Sequence, residues 1–145
     1  MLKKLINKEK KLLLKQLESQ FGFNKKLDYN FFINEKKRIF IFNKNLEINF
    51  SKIRINSLGL YFANIESELR LSIEGSQIIG PYSKKNILEL NEKDLESWIY
   101  GNDIETSKVF QGFVIIKNNK DFYGTGKYKN GIILNHVPKE RRLKN

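Results

Sequence analysis

Beyond Gly22 the apolar residues of this chain come in short runs, several of them alternating, and never in one long block. Tyr29–Ile33, Arg38–Phe42, Leu46–Phe50, Leu58–Ile65 and Leu69–Ile73 form one series of such runs. Gly112–Lys117, Phe122–Tyr128 and Ile132–Val137 form a second. Period-two spacing over four to eight residues specifies half-buried β-strands, and turn-forming residues separate them. Asn34-Glu35-Lys36-Lys37 and Asn118-Asn119-Lys120-Asp121 read as turns, and Asn130-Gly131 is a strong hairpin dipeptide. Leu69-Arg70-Leu71-Ser72-Ile73 alternates cleanly, as in an antiparallel sheet with one covered face. No apolar run approaches the roughly 18 residues of a membrane-spanning helix, so no membrane span is expected.

Two helices interrupt the strands. Leu5, Leu13, Leu17 and Phe21, with Ile6 and Leu14, recur near the helical period and predict a helix over 3–21, ended by Gly22. Lys4, Lys8, Lys11 and Lys15 then fall on one face, either solvated or touching phosphate. A second helix starts at the cap Asn91, carries Glu92, Asp94 and Glu96 early, where the macrodipole favours acids, and stops at Gly101. Leu95, Trp98 and Ile99 supply its apolar face. Between the two strand series, Gly75, Gly80 and Pro81 predict a turn and a boundary. The expectation is an α+β fold. An N-terminal helix with an antiparallel sheet occupies residues 1–75, and a partly curled sheet, barrel-like, occupies 76–145.

The net charge of +11 is unevenly placed. Residues 1–57 hold 14 basic and 5 acidic side chains, residues 58–107 hold 4 and 9, and residues 108–145 hold 9 and 2. A Lys- and Asn-rich codon bias accounts for a basic total but not for an acidic middle. Basic ends favour a polyanionic partner through phosphate neutralisation. Lys117, Lys127, Lys129, Lys139, Arg141, Arg142 and Lys144 fall within 28 residues, interleaved with Phe122, Tyr123 and Tyr128. Cations beside aromatics suit phosphates and unpaired bases. The plainer alternative is a basic tail after Pro138 that attracts polyanions without specificity.

Catalytic chemistry finds little support. There is no Cys, which excludes disulfides, thiolate metal sites and a Cys nucleophile, and fits a cytoplasmic protein. The N-terminal residues lack the apolar stretch of a secretory signal. The single histidine, His136, has no obvious catalytic partners, and no metal-ligand set is spaced for zinc or iron. Gly124-Thr125-Gly126-Lys127 has neither the spacing nor the strand-to-helix context of a phosphate loop. Its glycines fit a bulge or a close backbone approach, whether to protein or to RNA. No cofactor, metal or catalytic residue is expected.

The same residues carry a family resemblance. Leu58-Gly59-Leu60-Tyr61-Phe62, Leu69-Arg70-Leu71-Ser72, Trp98-Ile99-Tyr100-Gly101, Gly112–Ile115 and Tyr123–Lys127 occur in order. They end in Asn130-Gly131, then Leu134-Asn135-His136-Val137-Pro138-Lys139 and Arg142. From about Leu58 to Leu143 the chain resembles the PUA-like RNA-binding domain at the C-terminus of Sun-family, RsmF-type rRNA 5-methylcytosine methyltransferases and archaeal relatives. The methyltransferase part, with its cofactor loops and catalytic cysteines, has no counterpart here, so the resemblance carries RNA binding and not activity. The layout is also similar to a ribosome-biogenesis factor with a pre-PUA domain before a PUA domain. The resemblance implies a pseudo-barrel whose glycine-bearing strand and basic C-terminal segment face structured RNA, rRNA or tRNA, in ribosome biogenesis, rRNA processing or tRNA modification. A methyltransferase or a pre-ribosomal protein is the implied protein partner. Phosphate contacts are expected from Lys127, Lys129, Lys139, Arg141 and Arg142, and base or ribose contacts from Tyr128 and His136. An adaptor docking through an exposed Trp98 is one alternative. An enzyme with His136 in a deep pocket against a carboxylate is another.

Overall fold

A computed structural model describes residues 2–44 and 59–144. The predicted strand Leu46–Phe50 lies outside the described residues. The fold is α+β, with two five-stranded sheets. The first contains β1 (Lys3–Lys4), β2 (Tyr29–Ile33), β3 (Arg38–Asn43), β4 (Leu60–Asn64) and β5 (Arg70–Leu71), in that order and all antiparallel. The second contains β6 (Ile87–Glu89), β7 (Ile104–Glu105), β8 (Phe113–Asn118), β9 (Asp121–Lys129) and β10 (Ile132–Asn135), in the order β6-β8-β9-β10-β7. Its β6 runs parallel to β8, its other pairings are antiparallel, and it curls into a PUA-like pseudo-barrel.

The helices are α1 (Asn7–Phe21), α2 (Ile73–Ile79) and α3 (Glu92–Ile99). Helix α1 starts later than its apolar period suggests. Lys3 and Lys4 pair instead with Ile33 and Phe32, because the edge of β2 offers unpaired backbone groups to the incoming chain. Lys4 therefore leaves the helical stripe, which keeps Lys8, Lys11 and Lys15. At its end the amide of Gly22 donates to Glu18 O, and that of Phe23 to Leu17 O. Leu13, Leu17 and Phe21 lie buried on the inner face of the first sheet, against Phe31, Ile39, Ile41 and Phe62. The alternate residues Phe32, Phe40 and Phe42 are buried on the opposite face.

The largest departure from expectation is at 69–79. The alternating run makes a strand of only Arg70–Leu71, and the expected turn at Gly75–Pro81 is helix α2 followed by a 3-10 turn, Gly80–Tyr82. Ser72 starts this helix, its Oγ accepting from the Gly75 amide at 2.9 Å. A Cβ on Gly75 would sit 2.1 Å from Phe62 O, so its glycine serves close packing of a helix rather than a turn. The short strands β6 and β7 were not legible in the sequence either. Each has three residues or fewer and belongs to the sheet only through its partners.

The second core gathers Leu88, Leu95, Trp98, Val114, Ile116, Ile133 and Val137. Trp98 is fully buried and its Nε1–H donates to Tyr123 O at 2.9 Å. The first core also takes in Ile79, Ile115 and Phe122, so residues of α2, β8 and β9 complete it.

Candidate nucleic-acid interface

Gly124 and Thr125 of β9 and the chain after β10 form one wall of a small cleft, and the segment Arg70–Glu74 forms the other. The cleft measures about 80 Å³. Leu71, Ile73, Thr125, Val137 and Pro138 line it, with Arg70, Glu74, His136 and Arg141 among its polar residues. Strand β9 can approach α2 because it carries two glycines. Gly124 has φ +86°, and its amide donates to Ser76 Oγ at 2.9 Å. A Cβ on Gly126 would lie 2.6 Å from the Trp98 ring and 2.5 Å from Leu134 O. Both glycines are buried, which settles their role as protein packing. Gly124 and Thr125 nonetheless reach the cleft, so this part of the strand lines the candidate interface.

Three polar links join the two segments, two of them across the cleft and the first, between Lys127 and Glu68, beside it. Lys127 Nζ pairs with Glu68 Oε2. Arg70 Nη1 lies 3.1 Å from His136 Nδ1. Arg141 Nη1 donates to Glu74 Oε1 at 2.5 Å. Arg70 can only donate, so His136 Nδ1 accepts and the ring proton sits on Nε2. Burial first, then the Arg70 charge, holds the His136 pKa below its ordinary value. Its ring meets the Phe113 ring edge-on at 5.1 Å, and the Lys127 ammonium sits 5.6 Å from the same Phe113 centroid. Among the described residues it is Arg70, not a carboxylate, that hydrogen-bonds His136 Nδ1.

Of the expected contact residues, the fold brings together Lys127, His136 and Arg141. Lys129 and Lys139 are exposed and make no ion pair among the described residues. Tyr128 is half-buried, its ring edge-on to Phe110 at 5.9 Å at the margin of the second core. Arg142 lies over Gly101, and its Nε donates to Val137 O at 2.9 Å. The segment after Pro138 is folded rather than a loose tail: it makes a 3-10 turn, and the Leu143 amide donates to Ile99 O. Burial of Trp98 removes the exposed indole on which adaptor docking rested.

Sequence reasoning missed Arg70 as a site residue. Its only signal was the outward position in Leu69-Arg70-Leu71, with its partner 66 residues away. Asn135 was also underread. Its side chain donates to Trp98 O and Asn102 O and accepts from the Val137 amide, which ends β10 at Asn135 rather than Val137 and sets His136 toward the cleft. Among the described residues no group of three His, Cys, Asp or Glu could hold a metal, and no helix is long and apolar enough to cross a membrane.

The family model of the methyltransferase RsmF PUA domain matches residues 85–143. The match takes in β6 through the C-terminal 3-10 turn and leaves out the wall formed by Arg70–Glu74. No curated protein matches the chain. Residues 85–143 are therefore similar to a PUA-like domain of the RsmF methyltransferase type.

Proposed function

We propose that this chain is a non-catalytic RNA-binding protein that recognises structured RNA, rRNA or tRNA, through its PUA-like domain. One observation carries the reading: a domain of an RNA-binding family presents His136 and Arg141 at one cleft, with Arg70 joining them and Lys127 beside it over the Phe113 ring that His136 also meets. Arginine at 70 and 141 suits phosphate because the guanidinium fork offers paired donors. The cleft is too small to enclose a drug-sized substrate, for which sites of about 300–1,000 Å³ are usual. In this reading the protein acts in the cytoplasm in ribosome biogenesis, rRNA processing or tRNA modification, docking RNA for a methyltransferase or a pre-ribosomal protein.

Crosslinking the tagged protein to RNA in cells and sequencing what is bound tests the reading. Enrichment of one rRNA or tRNA region is the expected result. Recovery of no RNA above an untagged control would overturn it.

A further inference from the structure

We propose that the segment Glu68–Glu74 is the second half of the RNA site: Arg70 is a phosphate ligand, and Glu68 and Glu74 occupy places that two RNA phosphates take. The inference rests on the RNA-binding reading and extends it to residues outside the matched PUA region.

The two carboxylates do for the free protein what phosphates would do in a complex. Each places an anionic oxygen on a cation of the PUA-like domain, Glu68 on Lys127 and Glu74 on Arg141. Both pairs are partly open to solvent: the Lys127 and Glu68 side chains are 32% and 45% exposed, and those of Arg141 and Glu74 are 46% and 25% exposed. Ion pairs in such surroundings are weak, so an incoming anion can replace them. A phosphate brings the same oxygens and, from RNA, releases counterions as it docks. Arg70 lies between the two carboxylates in sequence, and its contact, the neutral His136, carries no compensating charge. Among the described residues no acid pairs with Arg70 across the gap.

The arrangement has two consequences. The cations are held in place before RNA arrives, so ordering their side chains is already done. An isolated phosphate must displace an intramolecular carboxylate, whereas linked phosphates displace both at once; the site therefore favours a backbone over a small anion.

The test is fluorescence anisotropy with a labelled RNA hairpin carrying an unpaired loop, at fixed salt, on the full chain. Glu68→Gln and Glu74→Gln each remove one carboxylate and keep its shape. Glu66→Gln and Glu140→Gln remove the same charge from exposed positions that pair with no cation among the described residues. The expected result is about 3–10-fold tighter binding for each of the first two, less than about 2-fold for the controls, and about 10-fold weaker binding for Arg70→Gln. Equal tightening in all four Glu variants would reduce the effect to net charge and overturn the proposal. So would unchanged or weakened binding in Glu68→Gln and Glu74→Gln while the wild-type protein binds RNA, and the RNA-binding reading would survive that outcome. No binding by either the wild-type protein or the Glu68→Gln/Glu74→Gln double variant would overturn both.

Discussion

The two basic ends of the chain are treated differently by the fold. On α1, Lys8, Lys11 and Lys15 make no ion pair among the described residues, and Lys8 and Lys11 are exposed. Lys10 nearby packs over the Phe31 ring and donates to Tyr29 O, and burial followed by repulsion from Lys44 lowers its pKa. At the C-terminal end, Lys127 and Arg141 are each matched to a carboxylate, and Arg70 to a neutral histidine. One end is a diffuse field, the other a set of fixed groups. Charge totals do not separate them; cross-cleft pairing does. A diffuse field raises encounter rate and falls with salt, whereas fixed donors determine which geometry is held.

The comparison breaks most easily at the fixed end. Arg70→Gln with Arg141→Gln is expected to weaken RNA-hairpin binding about 30–100-fold at 0.1 M salt, as two phosphate contacts are lost, and to lower the slope of log K against log salt by about two. A loss below about 5-fold would place the site elsewhere. Lys8→Gln, Lys11→Gln and Lys15→Gln combined are expected to weaken binding about 3–5-fold at 0.05 M salt, with the difference fading by 0.3 M. A larger or salt-independent loss would make α1 part of the fixed site.

The third test is acid. His136 has its folded pKa lowered, so the unfolded chain takes up the proton first as pH falls. Its contribution to stability is complete above the unfolded value of about 6.5 and is lost as pH drops from there toward the folded value. Urea titrations at pH 7.5 and 5.5 are expected to show a larger acid loss for wild type than for His136→Asn. The smallest effects belong to Lys129→Gln and Lys139→Gln, at about 2-fold or less each in RNA affinity. Their ammonium groups contribute long-range attraction only.

Much of the fold was legible because it rested on local signals. The Asn91 cap, the Asn130-Gly131 turn and the left-handed backbone at Gly22 and Gly101 are all decided within a few residues. Strand β5 was legible but is shorter than its alternation, and helix α2 was not legible, since the run at 69–73 was cut short by the Ser72 cap and by what Gly75 meets at Phe62. The site divided along the same line. Lys127, His136 and Arg141 lie in one stretch whose composition was visible. Arg70, Glu68 and Glu74 join it only through contacts spanning 59 to 67 residues, which no periodicity encodes.

The placement of Ile79, Ile115 and Phe122 in the core beneath α1 bears on how the molecule comes apart. A fragment ending near residue 75 would lack all three, and a fragment beginning there would present them to water. The full chain is therefore expected to melt in one transition rather than two. Clamping the cleft should raise that single melting temperature, so a simple thermal-shift screen across candidate RNAs can report on the whole molecule.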